Sequence, residues 1–172
     1  EQLFNESSEI NGENISNDIS GLIGQYAHGN EPSHHIAYLF NHSNKPWLTQ
    51  YWVSQILKTQ YNTTPNGLSG NEDCGQMSAW YVLSSMGLYP MNPASGNYEI
   101  GSPLFEKTTI TISDDKFFII EAEHVSDKNI YIQSATLNKS DFNKTFISHE
   151  QILKGGTLKF VMGPEPNRNW GV

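Results

Sequence analysis

The sequence predicts an α+β chain in which helices come first and strands later. Three observations carry this. Apolar residues recur at helical spacing through the first half and alternate with polar ones through the second, and the pattern changes just after Pro90. Residues 1–90 are therefore expected to form a helical unit and residues 91–172 a β-rich one. The sequence has no internal repeat.

The chain opens on a polar run from Glu1 to Asp18, broken by few apolar residues. Ile19 to Tyr26 is apolar-rich and carries two glycines. It gives way to a turn-like stretch, Ala27-His28-Gly29-Asn30-Glu31-Pro32-Ser33-His34-His35. Pro32 suits a first helical turn, where its missing N–H is not needed, and Ile36 to Phe40 continues that helix. Lys45-Pro46 opens the next helix, with Trp47, Leu48, Tyr51, Trp52, Ile56 and Leu57 at helical spacing. Thr63 to Gly70 is a loop whose Pro65-Asn66-Gly67 is turn chemistry. Asp73 precedes a third helix, and Asp73 with Gln76 resembles a capping box. Met77, Trp80, Tyr81 and Ser84 share one face of that helix, and Gly87 is placed to stop it.

In the second half, Tyr98-Glu99-Ile100 reads as short and extended. Thr108 to Ile112 alternates, Phe117 to Ala122 is a β-rich run, Asn129 to Ser134 alternates again, and Leu158 to Met162 makes a last strand before Gly163-Pro164. Ser113-Asp114-Asp115 and Ser126-Asp127-Lys128-Asn129 read as hairpin turns, so an antiparallel unit is expected.

At 172 residues the chain can make one ordinary domain or two small units, and 37% hydrophobic residues suffice for a core. A net charge of −8 argues against nucleic acid, which calls for clustered Lys and Arg. The single cysteine, Cys74, excludes an intrachain disulfide and a cysteine-type zinc site. No stretch approaches the roughly 20 apolar residues of a membrane span, and no signal-peptide pattern opens the chain. A chain beginning this way looks like a fragment boundary, with its targeting signal out of view. Sequons begin at Asn5, Asn14, Asn41, Asn62, Asn138 and Asn143; chance in an Asn- and Ser-rich chain accounts for them.

Two polar clusters sit at helix mouths, Gly29 to His35 and Gly70-Asn71-Glu72-Asp73-Cys74-Gly75-Gln76. Supported loops of this kind are where sites usually live, and a carboxylate at a helix N-terminus is held ionised by the macrodipole. Such a carboxylate can act as a general base or a hard-metal ligand. Asn30, Glu31 and Asp73 can equally be simple caps, and His34 and His35 plain helix-face residues. Glu31-x-x-His34 is half of a di-iron signature whose second half is missing. His-Glu-x-x-His, an EF-hand loop, a Gly-x-Ser-x-Gly elbow and a phosphate loop are all absent from the sequence. Trp47, Trp52, Trp80 and Tyr81 read as core, with stacking on a sugar as the other use for an aromatic beside a polar cluster.

The strings Ile23-Gly24-Gln25-Tyr26-Ala27-His28-Gly29-Asn30-Glu31-Pro32-Ser33-His34-His35 and Gly70-Asn71-Glu72-Asp73-Cys74-Gly75-Gln76-Met77-Ser78-Ala79-Trp80-Tyr81 resemble signatures of family 92 glycoside hydrolases. Asn92-Pro93-Ala94-Ser95-Gly96 and Gly101-Ser102-Pro103-Leu104-Phe105 continue the likeness, which is strong from Asp18 to Phe105 and weaker beyond. The resemblance implies the last helices of an (α/α)6 catalytic barrel (residues 1–90) followed by a C-terminal antiparallel β unit. It implies calcium-assisted removal of terminal α-linked mannose, α-1,2 in particular, with inversion, from mannosides or N-glycans. Carried over by position, Asp73 is the general base and Asn71 its polar support. Glu31 is a calcium (Ca2+) ligand, with Asn17 and the Ser16 carbonyl as further candidates, and Asn30, His34 and His35 contact substrate. The partners implied are a mannose-containing glycan and the remaining N-terminal part of the enzyme. The place implied is extracellular, cell-surface or periplasmic, in a bacterium.

The family's general acid is a glutamate in an aromatic-rich segment, and no such segment precedes Glu31. The chain by itself is therefore expected to be inactive. Two other readings compete: a non-catalytic, calcium-dependent carbohydrate-binding module, and a purely structural domain whose clusters are caps.

Overall fold

A computed structural model describes residues 1–15 and 19–172. Its first half is helical. A short helix α1 (Gln2–Asn5) precedes a two-stranded hairpin, β1 (Leu22–Ile23) with β2 (Tyr26–Ala27). Glu31–Ser33 forms one 3-10 turn, with Pro32 in its first turn, and Ile36–His42 forms a second. Helix α2 (Pro46–Thr59) begins at Pro46, and helix α3 (Gln76–Ser85) ends where Gly87 takes a left-handed conformation at φ 89°.

These elements share one core. Phe4, Tyr26, Tyr38, Val53, Ile56 and Trp80 are buried together, with Trp52 stacked on Phe4 at 4.5 Å between centroids. Of the aromatics at helical spacing, Trp52 and Trp80 are buried, whereas Trp47 and Tyr81 are half-buried.

The second half is built on strands. The chain leaves α3 directly into β3 (Leu88–Tyr89), which pairs with β4 (Asn97–Ile100). Strands β5 (Lys107–Ser113) and β6 (Lys116–Glu123) form the expected hairpin. Then come β7 (Tyr131–Leu137), β8 (Ser140–Asp141), β9 (Phe146–Ser148), helix α4 (His149–Leu153) and β10 (Gly156–Gly163). Strands β3, β4 and β9 make a small sheet; the larger one runs β5-β6-β10-β7-β8. Helix α4 opens with a capping box, Ser148 with Gln151.

The antiparallel expectation fails at one place. Residues 126–129 do not close a hairpin between β6 and β7. Strand β10 inserts between them, parallel to β6 and antiparallel to β7. Parallel pairing needs a crossover, and the chain from β7 through α4 supplies it. The sheet is therefore mixed.

Alternation gives this sheet one buried face. Phe118, Ile120 and Ala122 of β6, Leu158, Phe160 and Met162 of β10, and Ile132 and Ala135 of β7 all point inward. Each large side chain so buried contributes about 1.5–3 kcal/mol. The outer face carries Lys107–Glu121 and Lys159–Glu123 pairs, which are exposed and worth little.

The helical and β halves are stitched together. Alternation along β3 sends Leu88 into the sheet core and Tyr89 into the helical one. Asn41 Nδ2 donates to Glu99 Oε2 at 2.9 Å and to the Ile100 carbonyl at 3.1 Å, and the Gln50 side chain accepts from Ile132 N–H at 2.9 Å. Asn41, one of the sequon asparagines, is thereby an internal structural residue.

Phe160 lies in register with Ala122 on one side and Ala135 on the other, so two small residues make room for one large one. Phe160→Ala should leave a cavity that neither neighbour fills and cost about 3–5 kcal/mol, read as a lowered urea midpoint at unchanged slope.

Candidate functional site

The two polar loops meet. Ser20, Gly29, Asn30, Glu31, Gly70, Asn71 and Asp73 line a single pocket of about 430 Å³. The approach is backbone against backbone. Gly29 N–H donates to the Ser20 carbonyl and His28 N–H to that of Gly21, both at 3.1 Å, which ties the first loop to residues 20 and 21. A Cβ at Gly70, whose φ is 78°, would lie 2.6 Å from the Gly29 carbonyl oxygen, and one at Gly29 would collide with Ser20 Oγ. No side chain fits at either position, and this bareness lets the loops touch.

Asp73 reaches the pocket through an unusual turn. Asp73, Cys74 and Gly75 are left-handed in succession, at φ 52°, 55° and 93°. For Asp73 and Cys74 this costs on the order of 1–3 kcal/mol each. The turn also corrects the expected capping box. Helix α3 begins after Gly75, whose position has no side-chain cap, so Asp73 does not cap it. Glu72 serves the helix start instead, its carboxylate accepting from Ser78 N–H at 3.0 Å and from Ser78 Oγ at 2.9 Å. A spacing of six residues matches no standard cap, which is why the sequence does not reveal it.

The Asp73 carboxyl is pushed above the ordinary range, first by partial burial, then by a hydrogen bond with Glu31 and by that group's negative charge; His34 pulls the other way. Two carboxyls this close share either a proton or a cation. Ser20 Oγ, on the same wall, is shut off from solvent and has no hydrogen-bond partner among the described residues. Carboxylates, amide side chains, a hydroxyl and backbone carbonyls form an all-oxygen donor set, which suits a hard cation such as calcium. Among the described residues no three His, Cys, Asp or Glu side chains gather as a metal cluster, so amide and carbonyl oxygens would have to complete the shell.

The remaining candidate residues separate by burial. Asn30 and Asn71 are exposed and line the pocket. His35 is exposed but stands outside the lining. Ser16 and Asn17 lie outside the described residues. His34, expected at the substrate, has a buried ring with both nitrogens engaged internally. Glu31 is exposed while His34 points inward, so the two do not face one metal and the half di-iron signature is not realised.

Under the pocket lies a hydrogen-bonded chain that sequence reasoning missed. Tyr61 O–H donates to the Met77 carbonyl at 3.2 Å, so its oxygen accepts from His28 Nε2–H at 2.6 Å. His28 Nδ1 then accepts from Tyr26 O–H at 2.8 Å. His34 Nε2–H donates to the His28 carbonyl at 3.1 Å, and its bare Nδ1 accepts from the Gln76 amide at 3.1 Å. The imidazoles stack at 4.7 Å between centroids, with Trp80 edge-on to His28. Burial first and the neighbouring His34 second push His28 down to about 3, and burial lowers His34 also, so both rings are neutral at ordinary pH. A larger cavity of about 550 Å³ lies against Tyr61, Tyr81 and Val82. Among the described residues its carboxylate is Glu72, which is occupied by Ser78.

Known proteins resemble this chain strongly. Residues 1–164 match the model of the glycosyl hydrolase family 92 catalytic domain. A family 92 alpha-mannosidase of Bacteroides thetaiotaomicron superposes with a TM-score of 0.89 at 40% identity, over 99% of this chain and 22% of that one. The same enzyme in complex with mannoimidazole superposes with a TM-score of 0.91 at 41% identity, over the same shares. A family 92 inverting mannosidase from that bacterium matches with a TM-score of 0.81 at 41% identity, over 86% of this chain and 20% of that one. A protein of Arthroderma benhamiae named as an uncharacterized secreted glycosidase is 35% identical over 146 residues, 83% of this chain and 19% of that protein. The chain thus spans about a fifth of the length of these relatives.

The buried histidines set a pH dependence. A histidine whose pKa is depressed on folding binds its proton more readily in the unfolded chain, so stability is complete above the unfolded value near 6.5 and drains away as pH falls towards 3. The unfolding free energy should fall by about 1.4 kcal/mol per pH unit for His28 across that window, with His34 adding in the same direction. Urea titrations between pH 7 and pH 4 should show this slope, and His28→Gln should flatten it.

Proposed function

The chain belongs to glycosyl hydrolase family 92, and from that premise we propose that it carries one wall of an α-mannosidase active site. In this reading Asp73 is the general base that activates water for inversion at the anomeric carbon of a terminal α-mannose. Asn71 holds its orientation, and Asn30 and His35 approach the sugar hydroxyls. The observation that carries the reading is the convergence of Glu31 and Asp73 on one oxygen-lined pocket.

Calcium fits this donor set, held by Glu31 with backbone and amide oxygens, and with Ser16 and Asn17 as the further ligands proposed. When bound it would orient and polarise the sugar's hydroxyls. Glu31 supplies the charge that makes a cation welcome. Ser20 Oγ, without a partner otherwise, would gain one. Asp73, half-buried on a strained turn, lines the pocket.

Inversion needs a second carboxyl about 6.5–9.5 Å from the base, with room for water between. Among the described residues, the carboxylates whose charge reaches Asp73 are Glu31 and Glu72, the latter held by Ser78. The general acid is proposed to come from the longer enzyme, the first partner of this chain, along with the rest of the barrel. Residues 1–90 are the last helices of an (α/α)6 barrel and 91–172 a β unit behind it; the two separate hydrophobic cores support this division.

The glycan substrate is proposed to be α-1,2-linked mannose on mannosides or N-glycans, and the enzyme to be exported. The secreted fungal relative supports export. Among the described residues no helix is long and apolar enough to cross a membrane.

The purified 172-residue chain should show no turnover of a terminal α-mannoside, whereas the full-length protein should be active and lose activity to a calcium chelator. Asp73→Asn in the full-length protein should lower kcat about 10²- to 10⁴-fold. Retained turnover in that variant would remove Asp73 as the base, and sugar binding with no turnover in the unmutated protein would favour a binding module.

A further inference from the structure

The same two loops are joined a second time beneath the carboxylates. His34 follows Glu31 by three residues, and Gln76 follows Asp73 by three. The first members of the two pairs meet in the pocket. The second members meet below it, where the Gln76 amide donates to His34 Nδ1. We propose that Gln76 and His34 are positioning residues whose hydrogen bond is the latch that sets the spacing of Glu31 and Asp73. This rests on the pocket being the mannoside site.

The chemistry of the bond is fixed by what surrounds it. His34 Nε2–H is committed to the His28 carbonyl, and the ring is neutral, so Nδ1 is a bare acceptor. A buried acceptor left without a donor is costly. Gln76 supplies that donor with one N–H and gives its other to Tyr89 Oη at 3.2 Å. The latch is thus anchored in β3, outside both loops. His34 is held from a second side by Trp80 Nε1, which donates to its carbonyl at 3.2 Å.

The mechanics explain why a latch is needed. Asp73 and Cys74 occupy left-handed backbone that neither residue favours, so the turn relaxes unless both flanks are restrained. On the N-terminal flank, Glu72 bonds Ser78, but that contact stays within the second loop and its helix. On the C-terminal flank, Gln76 reaches the first loop. Loss of the Gln76 contact frees Asp73 to move relative to Glu31 without removing any side chain that lines the pocket. A displacement near 1 Å at a reacting group can cost about 100-fold in rate.

The test uses the full-length protein with Gln76→Met, which keeps the side chain's length without its donors, His34→Phe, the double variant and Asp73→Asn. Gln76→Met should lower kcat roughly 10- to 100-fold with KM within about threefold, and should speed amide exchange across residues 28–34 and 70–77. The double variant should be no worse than the weaker single, because both remove one contact. A kcat within twofold of the parent, or additive losses in the double variant, overturns the latch. In the unmutated protein, imidazole nitrogen NMR should show His34 protonated at Nε2 with Nδ1 bare; a proton on Nδ1 overturns it whatever the variants do. Full turnover in Asp73→Asn would instead sink the mannosidase role of the pocket, with the latch still decided by exchange and the nitrogen spectrum.

Discussion

The bare crossing of Gly29 over Gly70 is the constraint on which the site depends. Two loops forty residues apart in sequence can press backbone to backbone only where neither carries a side chain. That approach brings Glu31 and Asp73 into one pocket, where partial burial first and the neighbouring Glu31 second raise the proton affinity of Asp73. The electrostatic tension is a direct product of the packing. Such a pair of carboxyls suits the positive centre proposed for the pocket, and among the described residues no basic side chain lines it.

The support beneath the crossing is polar yet neutral. A pair of buried histidines would be ruinous if charged, and burial keeps both unprotonated. Each ring nitrogen then has a fixed role as donor or acceptor, and tyrosines, backbone carbonyls and Gln76 complete the chain. Fully satisfied networks of this kind define one geometry, because any slip leaves a buried polar atom unpaired. The β half contributes through Tyr89, whose neighbour Leu88 is built into the sheet core. Strand alternation thereby connects sheet packing to the floor of the site.

Much of the fold was legible from local pattern. Pro46 opening α2, Gly87 closing α3 and the alternation of β5, β6, β7 and β10 all follow from short-range physics. The mixed pairing of β10 was not legible, since the turn at 126–129 looks like any hairpin and the choice of neighbour is settled by packing. Phe160 between Ala122 and Ala135 shows the reason: that complementarity exists only when three distant strands are laid side by side. The burial of His34 was not legible for a related cause. A histidine beside a carboxylate in sequence looks like a site residue, and only the turn at Glu31–Ser33 directs it inward.

By itself the sequence determined that helices precede strands, that its net charge of −8 argues against a nucleic-acid partner, and that two motif strings ally the chain with one glycosidase family. Periodicity, charge and motif strings are properties of the chain before it folds. Tertiary structure decided which polar residues share a pocket, that Asp73 sits on a strained turn instead of capping a helix, and that His34 and Gln76 work beneath the surface. These depend on backbone approach and burial, which arise only when segments remote in sequence are brought into contact.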